Sequence, residues 1–164
     1  MCFKKPPEKV ALFVDVLHCH YATQRQYQRA LDYQAFWASA TKNREVVIAI
    51  AYDFDCYDNF DGDAQRLLLS ELGFNVKVKS CEQHRPYHQN DWSIGITLDI
   101  IEQAARADVI VLLTGNDNFD VLLDKIRLTY GMIMTIEVYA IATTTTAFKH
   151  SAHRFISIEE ALLL

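Results

Sequence analysis

Apolar and polar positions divide the chain into two alternating kinds of segment. Residues 10–16, VALFVDV, form a short apolar run that carries Asp15 near its end, the pattern of a strand buried on both faces. Similar runs recur at 45–54 (EVVIAIAYDF), 107–114 (ADVIVLLT) and 132–141 (MIMTIEVYAI), while 74–80 (FNVKVKS) alternates and 154–158 (RFISI) adds a short sixth. Helix-length segments lie between them. Asp32 is placed to cap a helix over 33–41, and Asp61 to cap one over 63–72 that stops at Gly73. Over 93–105, Ile94, Leu98, Ile101 and Ala105 recur at i, i+4, i+7 and i+11, which predicts an amphipathic helix buried along that face. A further helix from about 118 to 130 turns Leu122 and Ile126 inward and ends before Gly131. This alternation predicts an α/β fold, a three-layer α/β/α sandwich with a mostly parallel central sheet. It reads as one domain over 1–164 with residues 1–9 as a flexible N-terminus. In such sheets ligands bind in the crevice outside the carboxyl ends of the strands.

Composition narrows the class. With 164 residues, 51% hydrophobic and 23% charged, the chain is large enough for a real core and is neither a disordered tail nor a linker. Its net charge of -5, from 21 acids against 16 Lys and Arg, argues against broad binding to polyanionic surfaces. A nuclease remains compatible, since a metal site needs clustered carboxylates. No apolar run reaches the roughly 20 residues of a spanning helix, and MCFKKPPEKV holds no signal-length apolar segment. A soluble, cytoplasmic protein without membrane contact is expected. Cys2, Cys19, Cys56 and Cys81 form no CxxC pair, so free thiols are expected rather than zinc or disulfides. No dinucleotide or Walker signature is present.

Candidate chemistry gathers at the strand ends. Asp15 ends the first strand, Asp117 follows the fourth, and Asp91 and Asp99 flank and enter the helix after residue 90. Carboxylates converging there would suit Mg²⁺ or Mn²⁺, which activate water and stabilise charge on a phosphate under attack. The plainer alternative is that Asp15 caps a helix or turn and Asp117 belongs to an Asn-Asp-Asn turn. Asp53, Asp55, Asp58, Asp61 and Asp63 lack the Gly and Glu spacing of a calcium loop and read as a solvated acidic loop. His18 and His20 offer acid/base groups or simple turn residues. His84, Arg85 and His88 precede Asp91, where Arg85 can meet phosphate or sit in an exposed loop. The TTTT stretch at 143–146 reads as a surface loop. Tyr21, Tyr27, Tyr33, Phe36 and Trp37 form either core or a contact surface.

Three segments carry a family resemblance. FVDVLH at 13–18, NDWSIGITLDII at 90–101 and VIVLLTGNDNF at 109–119, with TTTAFKHSAHRFISI at 144–158, together resemble the NYN domain of the PIN-like nuclease superfamily, in its LabA-like branch. The resemblance implies a Mg²⁺- or Mn²⁺-dependent ribonuclease. Asp15, Asp91 and Asp117 would hold the metal and act with Asp99 in catalysis. His18, Ser93, Thr114, Asn116 and Asn118 would line the site, and Arg85 and His88 would meet RNA, with DNA as a second candidate. The chain departs from the family pattern at four of these positions: His18 stands for Asn, Ser93 for an acid, and Asn116 and Asn118 for Asp. In the register of Regnase-type ribonucleases Asp117 becomes the metal-holding acid instead. Lost carboxylates lower the affinity of a site for a divalent ion. The alternative reading is therefore an inactive NYN domain that serves as an RNA-binding or protein-interaction and regulatory module, including as a homo-oligomer.

Overall fold

A computed structural model describes residues 5–55, 62–81 and 89–164. Its six strands are β1 (Glu8–Asp15), β2 (Arg44–Asp55), β3 (Asn75–Ser80), β4 (Val109–Leu113), β5 (Thr135–Ala140) and β6 (Arg154–Ser157). They form one sheet in the order β3-β2-β1-β4-β5-β6, and every pairing is parallel. The helices are α1 (Val16–Tyr27), α2 (Tyr33–Thr41), α3 (Gly62–Leu72), α4 (Ser93–Gln103), α5 (Asp120–Tyr130) and α6 (Thr146–Ser151). Strand order reverses direction between β1 and β4, so the crevice of the doubly wound sheet opens where Asp15 ends β1.

The side-chain period of the strands builds two cores. Val10, Leu12 and Val14 point to the face covered by α1, α2 and α3, where they meet Cys19, Phe36 and Leu69. Ala11 and Phe13 point to the opposite face with Ile96, Leu123 and Phe148 from α4, α5 and α6. β1 and β4 lie in the middle of the sheet with a helix layer on either side. Both are apolar without alternation for that reason.

Several expectations require correction. Helix α4 exists, but Ile94, Leu98 and Ile101 are 78%, 62% and 49% exposed, and the buried stripe is Ile96, Ile100 and Ala104. This helix has isoleucine on both sides, so its period fixes the secondary structure without fixing which face is inward. Thr145 and Thr146 are not loop, because Thr145 caps α6 and accepts the Phe148 N–H. Asp53 is buried in β2 against Arg66 of α3 rather than solvated, with Nη1 to Oδ2 at 3.2 Å. The rest of that acidic cluster divides: Asp55 ends β2, Asp63 opens α3, and Asp58 and Asp61 lie outside the described residues. Cys19 is a buried free thiol as expected, whereas Cys81 is disulfide-bonded. The aromatic 21–37 region is largely core: Tyr33 and Phe36 are buried, Trp37 packs edge-on against Phe74, and the Tyr27 hydroxyl donates to the Ile158 carbonyl.

Candidate functional site at the carboxyl ends of the strands

Asp15 is 1% exposed and performs two tasks at once. As the N-cap of α1 its Oδ1 accepts the His18 N–H at 3.3 Å, which answers one of the unpaired donors at a helix start. Its Oδ2 meets His18 Nδ1 at 2.8 Å and accepts the Thr114 hydroxyl at 3.2 Å. The residue three places after the strand-end aspartate therefore folds back on it through its imidazole. Burial lowers the affinity of the His18 imidazole for a proton, but the hydrogen bond to Asp15, the Asp15 charge and that of Asp91 outweigh it, and the pKa is raised. With Nδ1 engaged, Nε2 is the nitrogen left for a ligand.

From Thr114 the hydrogen bonds continue across the crevice. Thr114 Oγ1 accepts the Asn116 N–H at 3.0 Å, and Asn116 Nδ2 donates to Ser93 Oγ at 3.1 Å. Ser93 in turn donates its hydroxyl and its N–H to Asp91 Oδ1 at the entry of α4. The Asn118 N–H closes a turn onto Asn116 Oδ1, which fixes the amide so that its NH₂ faces Ser93. His18, Asp15, Thr114, Asn116, Ser93 and Asp91 thus form one continuous chain of polar contacts. It runs through three of the four positions where this chain departs from the family pattern.

Gly115 lets the chain close. A Cβ there would lie 2.1 Å from the His18 carbonyl oxygen and 2.7 Å from Ala22 Cβ, so only glycine admits α1 this close to the β4–α5 loop. The Cys19 thiol sits in the same contact. Burial and the Asp15 charge push its pKa well up, while the Gly115 N–H pulls the other way, and the thiol stays protonated and unreactive.

The remaining sequence candidates make other contacts. Asp117 accepts the Thr145 N–H at 3.3 Å, which ties it to the start of α6 rather than to Asp15. Asp99, on α4, is held by Lys77 Nζ and the Tyr52 hydroxyl, each at 2.7 Å. Burial, then that bond and the Asp99 charge, keep the Tyr52 phenol protonated. His20 is half-buried, and burial lowers its pKa against the pull of Asp53. Arg85, His88 and His84 lie outside the described residues.

Residues to which the sequence assigned no site role flank the same crevice. Trp92 donates its indole N–H to the Asp53 carbonyl at 2.8 Å, and Lys79 Nζ stands 3.7 Å from its ring centroid. Gly95 makes room for the indole, since a Cβ there would be 2.8 Å from Trp92 Cε3. The alternating lysines of FNVKVKS were the available signal for Lys77 and Lys79.

These donors do not fit a divalent ion. Both oxygens of Asp15 are engaged with His18 and Thr114, Asp91 is turned onto Ser93, Asp99 is neutralised by Lys77, and Asp117 faces α6. Among the described residues no three His, Cys, Asp or Glu side chains group so as to hold a metal. Asp15, Asp91 and Asp117, the set expected around Mg²⁺ or Mn²⁺, are each held by these protein partners. No helix among the described residues is long and apolar enough to cross a membrane.

Comparison with known proteins agrees with the fold. A crystal structure of a protein of unknown function from Vibrio parahaemolyticus RIMD 2210633 matches at 32% identity and a TM-score of 0.88, covering 98% of this chain and 99% of that one. A cobalamin-binding protein from Desulfitobacterium hafniense DCB-2 matches at 13% identity and a TM-score of 0.32, over 73% of this chain and 59% of that one, too distant to bear on fold or ligand. None of the curated proteins matches. The NYN domain model matches residues 9–159, nearly the whole chain. The chain therefore belongs to the NYN domain family, within the PIN-like nuclease superfamily.

Proposed function

We propose that the carboxyl end of the sheet binds single-stranded RNA without cleaving it, as a NYN domain whose acidic centre has become a hydrogen-bond network. One observation carries this reading. The central carboxylate, Asp15, is answered by its own imidazole at 2.8 Å, where the family uses an asparagine. A protonated imidazole there offsets one negative charge of the site and so weakens its draw on a divalent ion. It also removes a barrier to a phosphate backbone, which an open cluster of aspartates would repel unless a metal intervened.

The surroundings supply what unpaired RNA uses. Trp92 with Lys79 beside it offers an aromatic surface and a cation for a base and its phosphate. Asn116, Ser93 and Thr114 present neutral donors and acceptors, and His18 Nε2, an acceptor while Nδ1 donates to Asp15, becomes a donor when the imidazole takes up a proton. RNA is favoured over DNA by the family placement. The second reading is Mg²⁺- or Mn²⁺-dependent hydrolysis, favoured by the retention of both Asp15 and Asp91 near His18.

Fluorescence anisotropy with a labelled oligouridine, run beside a gel assay in millimolar Mn²⁺, separates the two. Salt-sensitive binding that Lys79→Ala weakens, with the RNA intact, is the expected result. Cleavage that requires Mn²⁺ and disappears in Asp15→Asn would overturn it in favour of hydrolysis. Calorimetry should detect Mn²⁺ binding only after Ser93→Asp, Asn116→Asp and Asn118→Asp are combined.

A further inference from the structure

A second site lies at the other end of the strands. A cavity of about 650 Å³ is lined by Lys5 and Glu8 at the start of β1, by Lys42 and Arg44 at the start of β2, and by Glu137 and Arg154 on β5 and β6. Because β1, β2 and β6 all begin here and run parallel, this cavity opens toward the end of the sheet opposite Asp15. It has the size range of a small-molecule site.

Its charge runs against that of the molecule. Four cationic side chains face two carboxylates in a chain whose net charge is -5. Both carboxylates are spent on holding cations in place, with Glu8 Oε2 3.6 Å from Arg44 Nε and Glu137 the more deeply buried of the two. Glu137 is 2% exposed, and Arg44 grips it with two nitrogens, each at 2.8 Å, while Arg154 Nη1 reaches its Oε1 at 2.9 Å. Arg44 also donates to the Ala40 carbonyl and so answers the negative C-terminal end of α2. A buried carboxylate that pins two guanidinium groups is a positioning device. It fixes their planes and leaves the other nitrogens of Arg154, which is 64% exposed, pointing at no recorded partner among the described residues. Lys5 and Lys42 are exposed on the rim, and Ser39, bonded to the Tyr139 hydroxyl at 3.0 Å, supplies a polar wall.

We propose that this cavity binds the phosphate groups of a nucleotide-sized ligand, with Arg154 and Lys42 as the contacting cations and Glu137 as the residue that orients Arg154. Arginine presents several donors in one plane and suits a phosphate better than a point charge does. The site does not depend on the RNA reading, because it shares no residue with the crevice.

Titration calorimetry with inorganic pyrophosphate at low salt tests it. One ion should bind per chain, with affinity falling roughly ten-fold or more in Arg154→Ala and in Lys42→Ala, the loss of one charge-assisted hydrogen bond. Both side chains are exposed, so circular dichroism should show the fold intact, and Lys125→Ala on α5 should bind as the parent does. Competition by a 5′-phosphorylated oligouridine but not by its 5′-hydroxyl form assigns the phosphate to an RNA end, whereas competition by neither assigns it to a small molecule. No binding at millimolar pyrophosphate, or equal binding by Arg154→Ala, overturns the proposal.

Discussion

Two of the buried carboxylates, one toward each end of the sheet, are answered by different cations. Asp15 at the carboxyl end meets a histidine, while Glu137 toward the amino end meets two arginines. A guanidinium stays charged throughout the physiological range, so the Glu137 cluster has one electrostatic state. An imidazole does not, and the polarity of the crevice changes with the protonation of His18. The same device, a buried acid with a basic side chain drawn onto it, yields a fixed cationic cavity at one end and a titratable site at the other.

The largest effect should come from breaking the fixed cluster. Glu137→Ala leaves the mostly buried Arg44 with only the exposed Glu8, at 3.6 Å, as a carboxylate partner and should cost about 3 kcal/mol in urea unfolding, toward the value for removal of one member of a buried ion pair. A cost below that of Asp15→Ala would reverse the ranking of the two ends. Asp15→Ala removes a helix cap and two side-chain partners and should cost about 2 kcal/mol by the same measurement.

A smaller and pH-dependent change tests the titratable end. The pKa of His18 is raised above 6.5 in the folded protein, so the protonated form is favoured by folding, and its contribution is full below 6.5 and lost as pH climbs through the raised value. Parent and His18→Gln should therefore differ in stability by about 1 kcal/mol or less at acidic pH, and the difference should shrink toward alkaline pH. A gap that widens with pH would mean that the histidine is held neutral. Arg154→Ala should be the mildest, under about 1 kcal/mol because the side chain is largely exposed, so its effect belongs to ligand binding rather than to folding.

The fold was legible because its strands are buried on both faces and need no partner to be recognised. VALFVDV and ADVIVLLT announce themselves as central strands, and the alternation of strand and helix permits few other architectures. The outward face of α4 was not legible. Ile94, Ile96, Ile100 and Ile101 surround the helix, and only its packing against β1 and β2 decides which of them are inside. At the crevice, motif order identified Asp15, Ser93, Thr114 and Asn116, but not that they bond to one another. That linkage depends on Gly115 admitting α1, a steric fact no spacing reveals. The Lys77–Asp99 pair requires β3 and α4 to lie side by side. The Arg44–Glu137 pair joins residues 93 apart with no motif between them. Its single trace in the sequence is one glutamate inside the apolar run MIMTIEVYAI, a charge that such a strand tolerates only with a partner.

The position of β1 at the middle of the sheet has a consequence for synthesis of the chain. Asp15 and Thr114 are separated by 99 residues. At about 5–20 residues per second a ribosome takes roughly 5–20 s to make that stretch. During that interval β1 can pair with β2 but has an open edge where β4 belongs. The first part of the crevice to be translated is thus among the last to be completed, and a nascent chain halted before residue 109 holds His18 and Asp15 without Thr114 or Asn116 to receive them.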